Sequence, residues 1–256
     1  MRNILICEGS TDLLLTQYFL EKTTDWEYVD KKMYDQLGLV RFRDIKLYKW
    51  FRKKNEENYL CICAARGSSN IPNVLKNIWE LNLSEMDKER LFGKVILLTD
   101  NDELETEQIF LNNISKVLED GKCECNEFVI NNWNEVRYNW FVESVTIEFL
   151  PLIVPFETTG AIEDFLLSAL KEKSELEDSD KVVSKIVDNC CEFINNLDCG
   201  ERYLTKRRER TKARFTSVFV VLTPTDAFAE RKNLLQSVPW EDYQEVQIAF
   251  KELTKI

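Results

Sequence analysis

The chain has no histidine. That absence removes Ser-His-Asp and Cys-His nucleophile activation, imidazole general bases and His-ligated metals. Catalysis, if the chain performs any, must rest on carboxylates, Lys, Tyr, Ser or a metal held by oxygen. Glycine and proline are scarce, seven and five in 256 residues, and no flexible linker stands out. No apolar run approaches the roughly 20 residues that cross a bilayer. Residues 1–3 lead directly into a strand pattern rather than a signal peptide, so the expected location is the cytoplasm. The eight cysteines include the C-x-C pairs Cys61/Cys63 and Cys123/Cys125 and the adjacent Cys190/Cys191. C-x-x-C spacing is missing, so they read as reduced, mostly buried thiols rather than a zinc site.

Positive charge is also short. The formal net charge is −11, which discourages nonspecific binding to nucleic acid. Two segments break that balance. Residues 41–54, "RFRDIKLYKWFRKK", carry seven Lys/Arg against Asp44 alone, interleaved with Phe42, Tyr48, Trp50 and Phe51. Residues 202–214, "RYLTKRRERTKAR", carry seven against Glu209 alone. Either one alone reads as a solvated helix face or strand edge. Together, in an acidic chain, they are expected to form a polyanion track. Arg41, Arg43, Lys46 and Lys49 are the candidate contacts in the first segment, and Arg207, Arg208 and Arg210 in the second. The aromatics of the first are expected to stack on unpaired bases.

Periodicity divides the chain in two. Apolar runs at 4–7, 59–65, 94–99, 127–130 and 145–154 read as strands. Helical spacing separates them at 12–22, from about 70, and at 103–118. Continuous apolar strands are the mark of a sheet covered on both faces. The expected fold is therefore α/β, a mainly parallel sheet flanked by helices. From about residue 161 the pattern is helical, at 161–171, 182–197, 206–222 and 242–253. The expected organisation is an α/β domain over 1–172 with a helical extension over 173–256 packed on it. The apolar "FLPLIVPF" at 149–156 reads as a buried core strand, with a homodimer edge as the alternative.

In an open parallel sheet the functional crevice lies outside the carboxyl ends of the strands. Three such ends carry distinctive residues: Glu8-Gly9 in "ILICEGSTD", Gly67-Ser68, and Asp100-Asn101-Asp102 in "VILLTDND". If the first and third strands are neighbours, Glu8, Asp100 and Asp102 converge. Two unit charges about 4 Å apart repel by about 4 kcal/mol at an effective dielectric of 20. Such a cluster needs protons or a cation, and hard oxygen ligands select Mg²⁺ or Mn²⁺. Gly9 is expected to let the backbone turn tightly, and Asp12 to add a ligand from the following helix. A turn and an N-cap would read the same way for either motif alone; the ordered pair on strand ends favours the ion.

The two motifs and the intervening "CAARGSSNIPNVL" resemble the Toprim domain, the topoisomerase–primase α/β module, over residues 3–130. The resemblance implies Glu8 as the acid–base or metal residue and Asp100 and Asp102 as Mg²⁺ ligands. "TTGAIEDFLL" resembles the segment that follows the core in OLD-like nucleases and standalone Toprim-like proteins. It implies that Glu163, less directly Asp164, helps to hold a second metal, and that Lys212 in "RTKARF" faces the phosphate. The residues outside the core are too few for a topoisomerase gate, and no primase-type cysteine pattern exists. Two-metal phosphodiester hydrolysis needs the least machinery. The expectation is a Mg²⁺- or Mn²⁺-dependent nuclease acting on DNA or RNA, by analogy with a role in phage defence. The chain has no ATPase segment, so nucleotide-driven regulation would come from a separate ATPase or regulatory protein. The alternative is a non-catalytic Toprim-like module that binds nucleic acid or a nucleotide under a partner's control. A receiver-like phosphoacceptor is disfavoured by length and by its missing Asp and Lys arrangement.

Overall fold

The computed structural model describes residues 1–101, 105–125, 128–156, 158–197, 203–223, 235–236 and 238–256. The first half contains β1 (Arg2–Cys7), α1 (Ser10–Thr23), β2 (Trp26–Tyr28), β3 (Tyr48–Lys53), β4 (Tyr59–Ala64), α2 (Ile71–Ser84) and β5 (Phe92–Asp100). The second contains α3 (Thr106–Asp120), β6 (Glu124–Cys125), β7 (Asn134–Trp140), β8 (Glu143–Val154), α4 (Ile162–Glu177), α5 (Val182–Leu197), α6 (Arg207–Leu222) and α7 (Gln244–Phe250).

Every residue of β1 is buried, because β1 is central and both sheet faces are covered. It pairs in parallel with β4 on one side and β5 on the other, and β5 pairs in parallel with β8. Antiparallel strands extend this four-stranded centre at both ends, giving the order β2-β3-β4-β1-β5-β8-β7-β6. Alternate residues of β1 face opposite layers, as the pleat requires. Ile4 and Ile6 join a core with Leu75 and Ile78 of α2 and Ile114 of α3. Leu5 and Cys7 join another with Phe19 of α1, Phe165 of α4, Phe219 of α6 and Phe250 of α7. Each fully buried side chain of this size contributes about 1.5–3 kcal/mol.

The helices beyond residue 172 thus belong to the same core as the sheet, and the 172/173 division falls inside α4. The ring of Phe19 meets that of Phe250 edge-on at 5.3 Å, and Tyr18 donates to Glu241. These contacts bury α1 nearly all round.

Several sequence expectations change here. Residues 128–130 are not a strand, and Glu127 lies outside the described residues. The Val129 amide and carbonyl are bonded instead by the Asn134 side chain, at 2.8 and 3.0 Å, which removes them from a ladder. Strand β8 pairs with β5 along the apolar run and with β7 only as far as Phe149; beyond it Asn131 donates its amide to the Pro151 carbonyl and accepts the Ile153 amide on its side chain, and Phe149–Val154 are buried as a core strand. No described helix is long and apolar enough to cross a membrane. Trp50 and Phe51 of β3 are buried, and Trp50 stacks between Phe42 and Phe92. Trp50 and Phe51 are core and cannot stack on bases, while Phe42 and Tyr48 are half-buried against that core.

Where α7 meets α4, burial and then the adjacent Glu172 push the Glu245 carboxyl up to about 7. The folded state therefore holds a proton there that the unfolded chain releases near its ordinary pKa. Stability is expected to fall as pH rises from about 4.5 to about 7. Thermal melts across that range should show this slope, and Glu245→Gln should flatten it; an unchanged slope would refute the assignment.

Candidate functional site

The register of β1 against β5 sets Cys7 opposite Leu98, which brings the next residue, Glu8, beside Thr99 and Asp100. Glu8 Oε1 accepts the Thr99 hydroxyl and the Asp100 amide, the latter at 3.1 Å. Asp100 Oδ1 in turn accepts the amide of Ile162, the first residue of α4, at 3.3 Å. One carboxylate at each of two neighbouring strand ends is thus oriented by backbone and hydroxyl donors. Such hydrogen bonds to ionised acceptors are stronger than neutral ones.

Behind them lie two deeply buried acids. Asp12, 5% exposed, accepts the Gly9 amide on Oδ2 at 2.7 Å. Burial pushes its carboxyl up to about 6, against the Gly9 bond; Glu8 and Glu163 push the same way, and Lys212 opposes them. Glu163, also 5% exposed, accepts Thr11 Oγ1 at 3.4 Å and Lys212 Nζ at 3.2 Å, both on Oε1. The four acids line a cavity of about 400 Å³. Arg207, Arg208, Thr211 and Lys212, from the first two turns of α6, line it as well. Ser68 and Ser69, after β4, line it too.

The conformational demand on glycine falls elsewhere than expected. Gly9 has φ −140 and ψ −174, ordinary extended backbone, and a Cβ there would make only a van der Waals contact with Asp12 at 3.8 Å. Gly67 has φ +126 and ψ 150, a region essentially closed to side chains, and its amide donates to the Glu8 carbonyl at 2.9 Å. It is Gly67 that lets the β4 exit approach the Glu8 turn.

The structure brings together Glu8, Asp12, Asp100, Glu163, Lys212, Arg207 and Arg208 from the expected set. Asp102 lies outside the described residues. Arg210 donates to the Leu204 carbonyl at 2.9 Å. The first basic segment does not reach the cavity wall as a track. Arg41 is forked onto Asp35 at 2.7 and 3.1 Å, and it lines a separate depression with Arg43, Asn77 and Glu80. Lys49 donates to Gln17 of α1 at 2.6 Å, and Lys46 is exposed.

No family model matches the chain, and no curated protein does. Among solved structures, it is similar to a hypothetical protein from Pyrococcus horikoshii, with 16% identity, a TM-score of 0.50 and 98% of each chain covered. That likeness is one of fold.

Three residues that matter here were not singled out from the sequence. Thr99 orients Glu8, and Thr11, 4% exposed, bonds Glu163. Asn101, the middle residue of the Asp-x-Asp triplet, is a stitch rather than a spacer. Its amide and carbonyl bond Val154 and Gly160, and its side chain donates to the carbonyls of Pro155 and Thr158, both at 3.1 Å. It thereby fixes the loop that delivers Glu163 beside Asp100. The only signal for it was its position between two acids.

Glu8 and Asp100 are hard, preoriented oxygen donors of the kind Mg²⁺ or Mn²⁺ takes. Among the described residues, no group of three or more His, Cys, Asp or Glu is disposed to hold a metal ion. The fit therefore rests on this pair, with Asp102 as the third ligand that the resemblance implies. Loss of the Asn101 side chain strands two carbonyl partners. Asn101→Ala is expected to cost about 1–3 kcal/mol in chemical denaturation, and no change would remove its role.

Proposed function

We propose that the protein is a divalent-metal-dependent nuclease that hydrolyses phosphodiester bonds of DNA or RNA. The observation that supports this reading is the meeting of both charge signs around one cavity. The oriented carboxylates Glu8 and Asp100 line it together with Arg207, Arg208 and Lys212 of α6. A phosphodiester is an anion that must be held by cations while its reacting oxygens approach an ion bound to carboxylates. Lys212 and the two arginines would bind the non-bridging oxygens, Arg207 and Arg208 by the forked geometry that suits phosphate. Glu8 and Asp100 would hold Mg²⁺ or Mn²⁺, joined by Asp102, with Asp12 and Glu163 behind them. When bound, the ion supplies the lowered water pKa and charge stabilisation that hydrolysis needs. The Toprim resemblance of the two motifs points to the same chemistry.

The alternative, a partner-controlled binding module without hydrolysis, draws on the net charge of −11. The two readings separate in one assay. Labelled single- and double-stranded DNA, tRNA and other RNA are incubated with the protein in Mg²⁺, Mn²⁺ or EDTA. Cleavage is expected with either metal and not with EDTA. Glu8→Gln and Asp100→Asn are expected to lower it by about 100-fold or more. Metal-independent cleavage, or cleavage untouched by both substitutions, would falsify the assignment. Binding without cleavage of any substrate would favour the module.

A further inference from the structure

Helix α5 is fixed to the molecule by one face. Ser184, Val187 and Ile194 are buried. The Ser184 amide donates to Ser174 Oγ of α4 at 3.2 Å, Lys171 of α4 donates to Asp188 at 2.6 Å, and Arg214 of α6 donates twice to Asn195 Oδ1, at 3.0 and 2.7 Å. The helix carries more apolar surface than those contacts use. At 3.6 residues per turn, Val182, Ile186, Phe193 and Leu197 fall within about 60° of one another, on a stripe beside the docked face. Val182 is 50% exposed, and Phe193 and Leu197 are each 58% exposed. Ile186 is half-buried and belongs to neither core layer. Apolar residues scattered singly over a surface are ordinary, whereas a contiguous stripe marks an interaction site.

We infer that this stripe seats a second copy of the chain, with the two α5 helices antiparallel about a two-fold axis near residues 189 and 190. The spacing is that of a two-helix seam: Ile186 and Phe193 take a positions, and Val182 and Asn189 take d positions. Charge selects the occupant and its direction. Lys185 and Glu192 are exposed in the two g positions that flank the seam, and among the described residues neither has an ion pair. Antiparallel helices bring g residues of one copy beside g residues of the other. A centre that sets Val182 opposite Leu197, and Ile186 opposite Phe193, leaves Lys185 about 3 Å along the axis from Glu192 of the second copy. Symmetry repeats that pair, so the face is complementary to itself. A parallel pair would instead set Lys185 beside Cys190 and Glu192 beside Leu197, and neither charge would be answered. Asn189, exposed, then lies near the axis in both copies, where one polar seam residue fixes register and direction. The helix has 16 residues and is about 24 Å long. A face of that size falls short of the roughly 800 Å² per partner of a standard interface, so the dimer is a weak one, with a micromolar Kd. The helices that α5 joins, α4 and α6, carry Glu163 and Lys212, so the assembly braces the helical side of the cavity.

The test is sedimentation velocity on the full chain over about 1–100 μM, because assembly depends on protomer concentration. Wild type is expected to pass reversibly from monomer to dimer and to stop at two copies, as an isologous face requires. The double variant Phe193→Asp/Leu197→Asp is expected to stay monomeric throughout, with an unchanged circular dichroism spectrum. Lys185→Glu and Glu192→Lys are each expected to weaken the dimer by about tenfold or more, and the two together to restore it to within about threefold of wild type. A wild type that stays monomeric or assembles without limit would overturn the inference, as would a dimer indifferent to the aspartates. Single reversals without effect, or a double reversal that restores nothing, would overturn the antiparallel pairing and the inference with it. If the aspartate variant does not fold, the charge reversals at two exposed positions decide. None of these results bears on the nuclease reading.

Discussion

Glu8 can accept the Asp100 amide only because β1 and β5 are parallel neighbours in a register that ends them together, Cys7 opposite Leu98. That register is set by burial. Ile4, Ile6, Leu5 and Cys7 are 0% exposed on alternating faces, so a one-residue slip would drive every one of them into the wrong layer. The carboxylate is thus positioned by the strongest constraint available to the chain, the packing of its central strand. Everything else in the cavity is arranged around that fixed point. Gly67 meets the Glu8 carbonyl, Asp100 caps the start of α4, and α4 carries Glu163 to Lys212.

The acids of this cavity differ in how they are kept in place. Glu8 and Asp100 are half-buried, held in place by backbone and hydroxyl donors. Asp12 and Glu163 lie deeper, and depth sets a different problem. Desolvation dominates at Asp12 and raises its carboxyl, with one amide bond opposing. At Glu163 a lysine supplies the missing charge. A buried pair of this kind gains little net stability, because desolvating both ions offsets their attraction. Its retention beside a cavity is better understood through what it positions than through what it stabilises.

The sequence made the helix–strand alternation of the first half legible, because strands covered on both faces are continuous apolar runs and leave no ambiguity of period. It also made Glu8 and Asp100 legible, through their place on strand ends. Antiparallel β2, β3, β6 and β7 were harder, since half-buried or short strands lack that run. The basic segment at 41–54 misled for a related reason. Its aromatics Trp50 and Phe51 are adjacent, so they fall on opposite faces of β3, and both are buried, one in each core layer, with Lys49 and Arg52 flanking them. Composition alone cannot separate that pattern from a base-stacking platform. Gly9 and Gly67 show the same limit at the backbone, where residue type says that any φ is permitted and only the fold says which glycine uses a positive one.

A net charge of −11 and the proposed phosphate-binding wall are compatible because the two would act over different distances. At physiological ionic strength, interactions between exposed charges are largely screened beyond about 8 Å, so most acids on this surface do not act on a phosphate inside the cavity. Within that range the local balance is what counts, and three cations of α6 line the same cavity as the acids. Of those cations, Arg207 and Arg208 are exposed while Lys212 is half-buried. The arginines lie in high dielectric, where each contact is weak and salt-sensitive, and under the proposed function they would set encounter and register. Lys212 is half-buried, where the same charge counts for more than on an exposed arginine. The cations of α6 are thus graded from an exposed pair to a half-buried ammonium already aligned by the buried Glu163.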